Sequence, residues 1–142
     1  MTMRNLVIKR KEWTGYYLSP EGGGVYPECG DDSSCAMLYF GPNNERYQCC
    51  LGHDATACGL PDSQLLHKGT AYSLPAELSP FFGYESEGSS KECAWEAIGL
   101  NDDKHMALAN KEAALIELFA KNGINLSFVD DVSEANSELV SV

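Results

Sequence analysis

The sequence predicts one α+β domain, in which a small antiparallel sheet with a β-hairpin is packed by two main helices. Two short stretches, 5–13 and 124–128, alternate apolar and polar residues as half-buried strands do. Residues 35–49 form two strand-like runs around the sequence GPNN, which is typical of a hairpin. Residues 50–58 and 110–122 instead place apolar side chains at helical spacing, and each stretch is followed by a glycine.

The N-terminal part combines one strand with a long connection. The first strand would bury Leu6 and Ile8 on one side, and Trp13 is expected to anchor the core. The next fragment, GYYLSP (15–20), has the composition of a second strand. The stretch EGGGVYPECGDDSS (21–34) is rich in loop-forming residues, so we expect a long loop of the kind that often binds ligands.

The central part is predicted to be a hairpin followed by a helix. CAMLYF (35–40) and ERYQC (45–49) flank the turn, where a proline fixes the backbone and Asn43 or Asn44 accepts a positive φ. The helix within CCLGHDATACG should end at Gly59. Small residues along this helix would allow it to approach the sheet closely: Gly52, Ala55 and Ala57.

The C-terminal part holds the clearest helix signal. Asn110 is the expected N-cap and Gly123 the expected stop. The apolar stripe of this helix consists of Ala114, Leu115, Leu118 and Phe119. The intervening segments are predicted to be a short helical turn at 61–69, an irregular stretch at 73–84, an exposed polar stretch at 85–92 and an apolar turn around Trp95 and Ile98.

Length and charge favour a single cytoplasmic domain with an acidic surface. We assign the domain to residues 1–130, with 14–34 as a loop insertion and 131–142 as an acidic, flexible tail. No apolar run is long enough to span a bilayer, and the first residues lack the apolar stretch of a secretory signal, so we expect no membrane partner. The net charge is −11, and residues 12–142 carry six basic against 21 acidic side chains. Such a surface repels nucleic acid and attracts basic protein surfaces.

The six cysteines raise the question of a metal or redox site. Zinc could use the spacing of Cys50, His53 and Cys58, with Cys29 and Cys35 as further donors. However, the chain has no C-x2-C pair, and neighbouring residues on a helix point about 100° apart. A thiol at a helix N-terminus is more acidic, whereas free cysteine is also a common small core residue. We predict that Cys49 and Cys50 fill space in the interior, and that the protein uses no metal or cofactor.

Two groups of residues are candidate binding sites. The first consists of acidic side chains that could face a basic partner: Asp31, Asp32, Glu85, Glu87, Asp102 and Asp103. The second combines cationic and aromatic side chains that could hold an anionic ligand such as a nucleotide: Arg46, His53, Tyr26, Phe82 and Lys68. The histidines lie in no hydrolase signature, and the GGG at 22–24 lacks the lysine of a P-loop, so we predict a protein that is not an enzyme.

The order of several short motifs resembles a family of small bacteriophage-encoded proteins of unknown function. The matching pieces are LVIKRKEW (6–13), MLYFGPNNERYQCCLG (37–52), ACGL (57–60), SLP (73–75), GLND (99–102) and KEAALIELFAKNGINLSFVD (111–130). Position 53 is histidine here, where an apolar residue is more usual in the family, which leaves a local role open for His53.

The resemblance implies a phage accessory protein that binds a component of the bacterial host, with an antagonist of antiviral defence as the first hypothesis. Its acidic surface would contact a host protein directly. A second hypothesis is a sponge that sequesters a nucleotide immune signal between the protomers of a homo-oligomer. A third is a zinc- or thiol-dependent protein.

Overall fold

The computed structural model describes residues 3–25, 37–66, 73–86 and 89–130, with 84–86 and 89–90 described by their backbone alone. The α+β class predicted from the sequence is confirmed. The predicted loop over 26–34 and the predicted tail over 131–142 lie outside the described residues.

The largest strand pair joins the two ends of the domain. Strand β1 (Arg4–Lys9) pairs with β6 (Ile124–Val129) in parallel, with Leu6 opposite Leu126. Both stretches alternate as predicted, and Leu6, Ile8, Ile124 and Leu126 are buried. The sequence assigned no partner to either strand, and the parallel pairing was not anticipated, because alternation shows which side chains are buried but not which strand lies alongside.

The predicted hairpin is confirmed. Strands β2 (Tyr39–Phe40) and β3 (Arg46–Tyr47) pair in antiparallel fashion around the turn, where Asn44 has a φ of 64°. A third pair, β4 (Tyr84–Ser86) with β5 (Ser89–Ser90), is also antiparallel and leads into the C-terminal helices.

Helix α2 (Cys50–Ala57) begins directly after the hairpin, and Gly59 follows it with a φ of 94°. It packs against β1 and against α4 (Glu92–Asn101). A Cβ atom added at Gly52 would lie 2.0 Å from the main-chain oxygen of Met37. Position 52 therefore has no room for a side chain. The predicted close approach is therefore confirmed at one position.

The first residue of α2, Cys50, is hydrogen-bonded to the side chain of Asn101, the last residue of α4. Asn101 Oδ1 accepts hydrogen bonds from the Cys50 N–H at 3.0 Å and from the Trp13 Nε1–H at 2.6 Å. Asn101 Nδ2 donates to Thr14 Oγ1 at 3.1 Å, and its main-chain oxygen accepts from Lys111 Nζ at 3.0 Å. Asn101 is fully buried, so this network lies inside the core. It links the CCLG and GLND motifs, which are about fifty residues apart in sequence.

Helix α5 (Leu108–Lys121) packs on α4 and β6 through Leu115, Leu118 and Phe119, as its apolar stripe predicts. The predicted N-cap at Asn110 is wrong, because the helix begins two residues earlier. The Leu108 N–H instead donates to Glu21 Oε1 at 2.9 Å, so a distant carboxylate performs the capping.

One other local prediction is wrong. Residues 15–20 do not form a strand: α1 (Thr14–Tyr17) is followed by a single 3-10 turn at Pro20–Gly22. The apolar turn expected around Trp95 is part of the longer helix α4, in which Trp95 is 54% exposed while Ala94 and Ala97 are buried. The short helical turn predicted near 61 is confirmed as α3 (Asp62–Leu65), and Trp13 is fully buried as expected.

Candidate functional site

Several predicted site residues lie outside the part of the chain that the structure describes: Asp31, Asp32, Glu87, Tyr26 and Lys68, together with the side chain of Glu85.

The remaining acidic pair shapes the loop between α4 and α5. Asp103 Oδ1 accepts hydrogen bonds from the N–H groups of His105 at 2.9 Å and Met106 at 3.0 Å. These bonds lower the pKa of Asp103, since they favour the ionised carboxylate. Asp102 ends α4 and accepts a hydrogen bond from Asn101 Nδ2 at 2.9 Å. Both carboxylates thus have local structural partners.

The larger acidic feature is on the outer side of α4, where sequence reasoning placed no site. Trp95 is 54% exposed, and the exposed Glu92 and Glu96 flank it on the same helix. Glu96 also lines a groove of about 190 Å³ between α4 and α5, together with Glu117 and Lys121. We call the outer side of α4 together with this groove the α4–α5 face. Its residues on the outer side of α4 are Glu92, Trp95 and Glu96, and the groove is also lined by Leu100, Ala114, Glu117, Leu118 and Lys121.

Local packing explains why a tryptophan points outward here. Ala94, Ala97 and Asn101 are spaced three and four residues apart, so they form one side of α4, and all three are buried. Small side chains let this side approach α2 closely, which leaves Trp95 on the part of α4 that faces solvent. The spacing of these small residues is the signal in the sequence that marks the buried side of α4.

The charges of the α4–α5 face are only weakly compensated. Glu117 Oε1 and Lys121 Nζ are 3.5 Å apart, and both side chains are about seven-tenths exposed. An ion pair this exposed contributes little and is screened by salt. The face therefore combines an exposed aromatic ring with carboxylates that solvent reaches freely.

Arg46 and His53, which the sequence proposed as ligand contacts, meet at a second surface. They line a cleft of about 300 Å³ beside β1, which we call the β1 cleft. Its polar lining comprises Asn5, Lys9, Glu12, Arg46, Gln48, His53 and Thr56. Arg46 binds Asp62 with both terminal nitrogens, at 2.9 and 2.8 Å, and donates through Nε to Gln48 at 3.1 Å.

His53 is a neutral residue in the wall of this cleft. Its Nε2 lies 3.0 Å from the Glu12 main-chain oxygen, which can only accept, so Nε2 carries the proton. Burial lowers the pKa of His53 to about 4, because the charged imidazole would lose its hydration. Its side chain is therefore uncharged at neutral pH, and the cationic groups of the cleft are Lys9 and Arg46.

The other predicted ligand contacts and the thiols lie in the core. Phe82 is fully buried, so it offers no ring face to a ligand in this conformation. Cys49 and Cys50 are buried and free, as predicted, and burial raises the pKa of Cys49 to about 12. Within the described ranges, histidine, cysteine and carboxylate side chains form no group of three or more that could hold a metal ion.

No family model, curated protein or solved structure matches the chain. Among the helices of the described residues, none has the length and apolar character needed to cross a membrane.

Proposed function

We propose that the protein is a non-enzymatic binding protein whose α4–α5 face docks onto a basic surface of a partner protein. The observation that carries this proposal is the half-exposed Trp95 between Glu92 and Glu96. Tryptophan is among the residues that most often dominate the energy of protein interfaces. An exposed tryptophan also costs free energy in the free protein, because its apolar surface remains in water.

The charges specify the chemistry of the partner. Lys121 is the only cation among the residues that line the groove, against Glu96 and Glu117, and the whole chain carries a net charge of −11. A partner with lysine or arginine side chains around an apolar pocket would match this face in both charge and shape. The long-range field of the chain would also speed the encounter.

The resemblance to small phage proteins favours a bacterial host protein as the partner, and interference with antiviral defence as the outcome. The nucleotide hypothesis has less support, because Phe82, one of the two aromatic rings expected to contact a nucleotide, is fully buried. A thermal-shift screen with cyclic nucleotides tests that alternative directly, since a tight ligand raises the melting temperature.

The proposal is tested by capture from a bacterial lysate with the immobilised protein and two pairs of matched variants. Trp95→Ala and Glu96→Lys change the α4–α5 face. Val25→Ala removes an exposed apolar side chain, 64%, that lines neither the groove nor the β1 cleft, and Glu77→Lys makes the same charge reversal on the 73–83 loop. Circular dichroism confirms that each variant folds.

We expect one bacterial protein to be captured by the wild type and by both controls but not by the two face variants. The Trp95→Ala variant should lose about 2 kcal/mol of binding free energy or more, roughly a thirtyfold weaker Kd. Capture should also fall when the salt concentration is raised to about 0.5 M. Capture that is equal for all five proteins, or insensitive to salt, would rule the α4–α5 face out.

A further inference from the structure

Strand β1 has an edge that no other described strand covers, since its sheet contains only β1 and β6. The Arg4 N–H donates to the Gly123 oxygen at 3.1 Å, so the main-chain groups of Arg4 point toward β6. Successive residues of a strand point their main-chain groups to opposite edges. The N–H and C=O groups of Asn5 and Val7 therefore point away from β6, as does the N–H of Lys9, whose carbonyl begins the 3-10 turn at Arg10–Glu12.

The β1 cleft lies along this edge. Asn5, Val7 and Lys9 all line it on one side, and residues of β3 and α2 form the other side. The cleft thus presents a row of main-chain donors and acceptors opposite a wall of side chains. Unpaired main-chain groups at a sheet edge are a template for one more strand. From Asn5 to Lys9 the edge is about 13 Å long, which matches about five residues of extended chain.

The charge of the cleft indicates what the added strand carries. Its lining contains two cations, Lys9 and Arg46, and one carboxylate, Glu12, whose Oε2 lies 3.4 Å from Lys9 Nζ, although the whole chain has a net charge of −11. The guanidinium of Arg46 already holds the carboxylate of Asp62, whose side chain is 50% exposed. A carboxylate of the ligand can therefore bind both terminal nitrogens of Arg46 in place of Asp62, once the Asp62 side chain turns into solvent.

We propose that the β1 cleft binds an extended segment of a partner protein, which adds as a strand to β1 and places an acidic side chain on Arg46. This site differs from the α4–α5 face in position, in charge and in the form of its ligand. A second copy of the chain fits the cleft less well, because helix α2 lies beside β1 and each copy would bring its own α2 into the same space.

The test uses a generic peptide, because strand addition relies on main-chain hydrogen bonds rather than on one side-chain sequence. The probe is the acetylated and amidated pentapeptide TVEVT, titrated into the ¹⁵N-labelled full chain and followed by amide chemical shifts. Two control peptides accompany it: TVKVT, which reverses the charge, and TVEVT with all five main-chain nitrogens methylated, whose residues cannot donate to β1 whichever set of them faces it.

We expect TVEVT to saturate with a Kd of about 1 mM or below and to shift the amides of Asn5, Val7 and Lys9 most. TVKVT should bind at least about fivefold more weakly, and the methylated peptide should not saturate at about 5 mM. Arg46→Gln should abolish the preference for TVEVT over TVKVT, whereas Asp62→Asn should strengthen TVEVT binding by freeing Arg46.

One variant of the chain tests the main-chain contribution separately. Val7→Pro removes an N–H that points into the cleft and leaves the ladder to β6 intact, so TVEVT should bind several-fold more weakly than it binds Val7→Ala. If Val7→Pro does not fold, the methylated peptide on the wild-type chain makes the same comparison.

The proposal fails if TVEVT gives no saturable shifts, if methylation leaves its affinity unchanged, or if the shifts map away from β1. Trp95→Ala should leave the peptide affinity unaltered, so the outcome for this cleft is independent of the outcome for the α4–α5 face.

Discussion

Replacement of Asn101 by leucine tests whether the buried amide that links α2 and α4 stabilises the fold. Leucine keeps nearly the same volume but removes every hydrogen bond that the side chain makes. The Trp13 indole N–H and the Cys50 main-chain N–H would then lose their acceptor. Both donors are in fully buried residues, so no water from the surface can replace it.

The expected cost follows from these two donors. A buried donor left without a partner costs about 1–3 kcal/mol, so the variant should lose about 2–6 kcal/mol of unfolding free energy. Domains of this size are typically stable by about 5–15 kcal/mol, so the loss is a large share of the total. The hydroxyl of Thr14 can rotate toward another acceptor, so it adds little.

Urea unfolding followed by circular dichroism, in the presence of a reducing agent, measures the loss. The matched control is Asn122→Leu, because the side chain of Asn122 makes a single hydrogen bond, from Nδ2 to the Leu118 oxygen at 2.9 Å, at a half-buried position. The control should lose less than about 1 kcal/mol. In a double-mutant cycle, Trp13→Phe should lower the unfolding free energy less in the Asn101→Leu background than in the wild type. In that background it removes an indole N–H that no longer has an acceptor. A loss below about 1 kcal/mol for Asn101→Leu would refute the reasoning.

Three further predictions concern α2 and α4. The pKa of His53 is lowered to about 4 in the folded protein, so the imidazole of the unfolded chain takes up its proton first as the pH falls below about 6.5. The unfolding free energy measured in urea melts should therefore drop by about 2 kcal/mol between pH 7.5 and 5, and the His53→Gln variant should lack this contribution. Cys49 and Cys50 should resist iodoacetamide in the native protein and react once urea unfolds it, as peptide mass mapping shows; native labelling of either would contradict their burial. Gly52→Ala should lower the unfolding free energy by about 2 kcal/mol or more, because the new methyl group meets a main-chain oxygen. Gly99→Ala, with open space around it, should instead raise the unfolding free energy by about 0.5–1 kcal/mol, and equal effects of the two substitutions would contradict the packing described.

The parts of this fold that the sequence predicts are those whose conformation depends on residues close together in the chain. The turn at Asn44, the stop of α2 at Gly59 and the alternation of β1 all follow from the conformational preferences of a few neighbouring residues. The unpredicted parts depend on distant residues. Glu21 caps α5 across the chain, and β1 pairs with a strand about 120 residues away, which no local pattern reveals.

The candidate sites show the same division. Arg46 and His53 were identified as ligand contacts by residue type alone, and the structure brings them together in the β1 cleft. The exposure of Trp95 was not predicted, because the apolar turn around Trp95 and Ile98 carried no assignment of a buried side, whereas close helix packing favours the small Ala94 and Ala97 there. A search for small residues at helical spacing would have predicted the correct side of α4.

The parallel pairing of β1 with β6 has a consequence for synthesis in the cell. A ribosome releases Leu6 and Ile8 about 120 residues before the strand that pairs with theirs is complete at Val129. The first strand must therefore wait, with its apolar side chains accessible to chaperones, until that strand has emerged. Closing so long a loop is also slow, so the last step of folding should be the pairing of β1 with β6 rather than the formation of the hairpin.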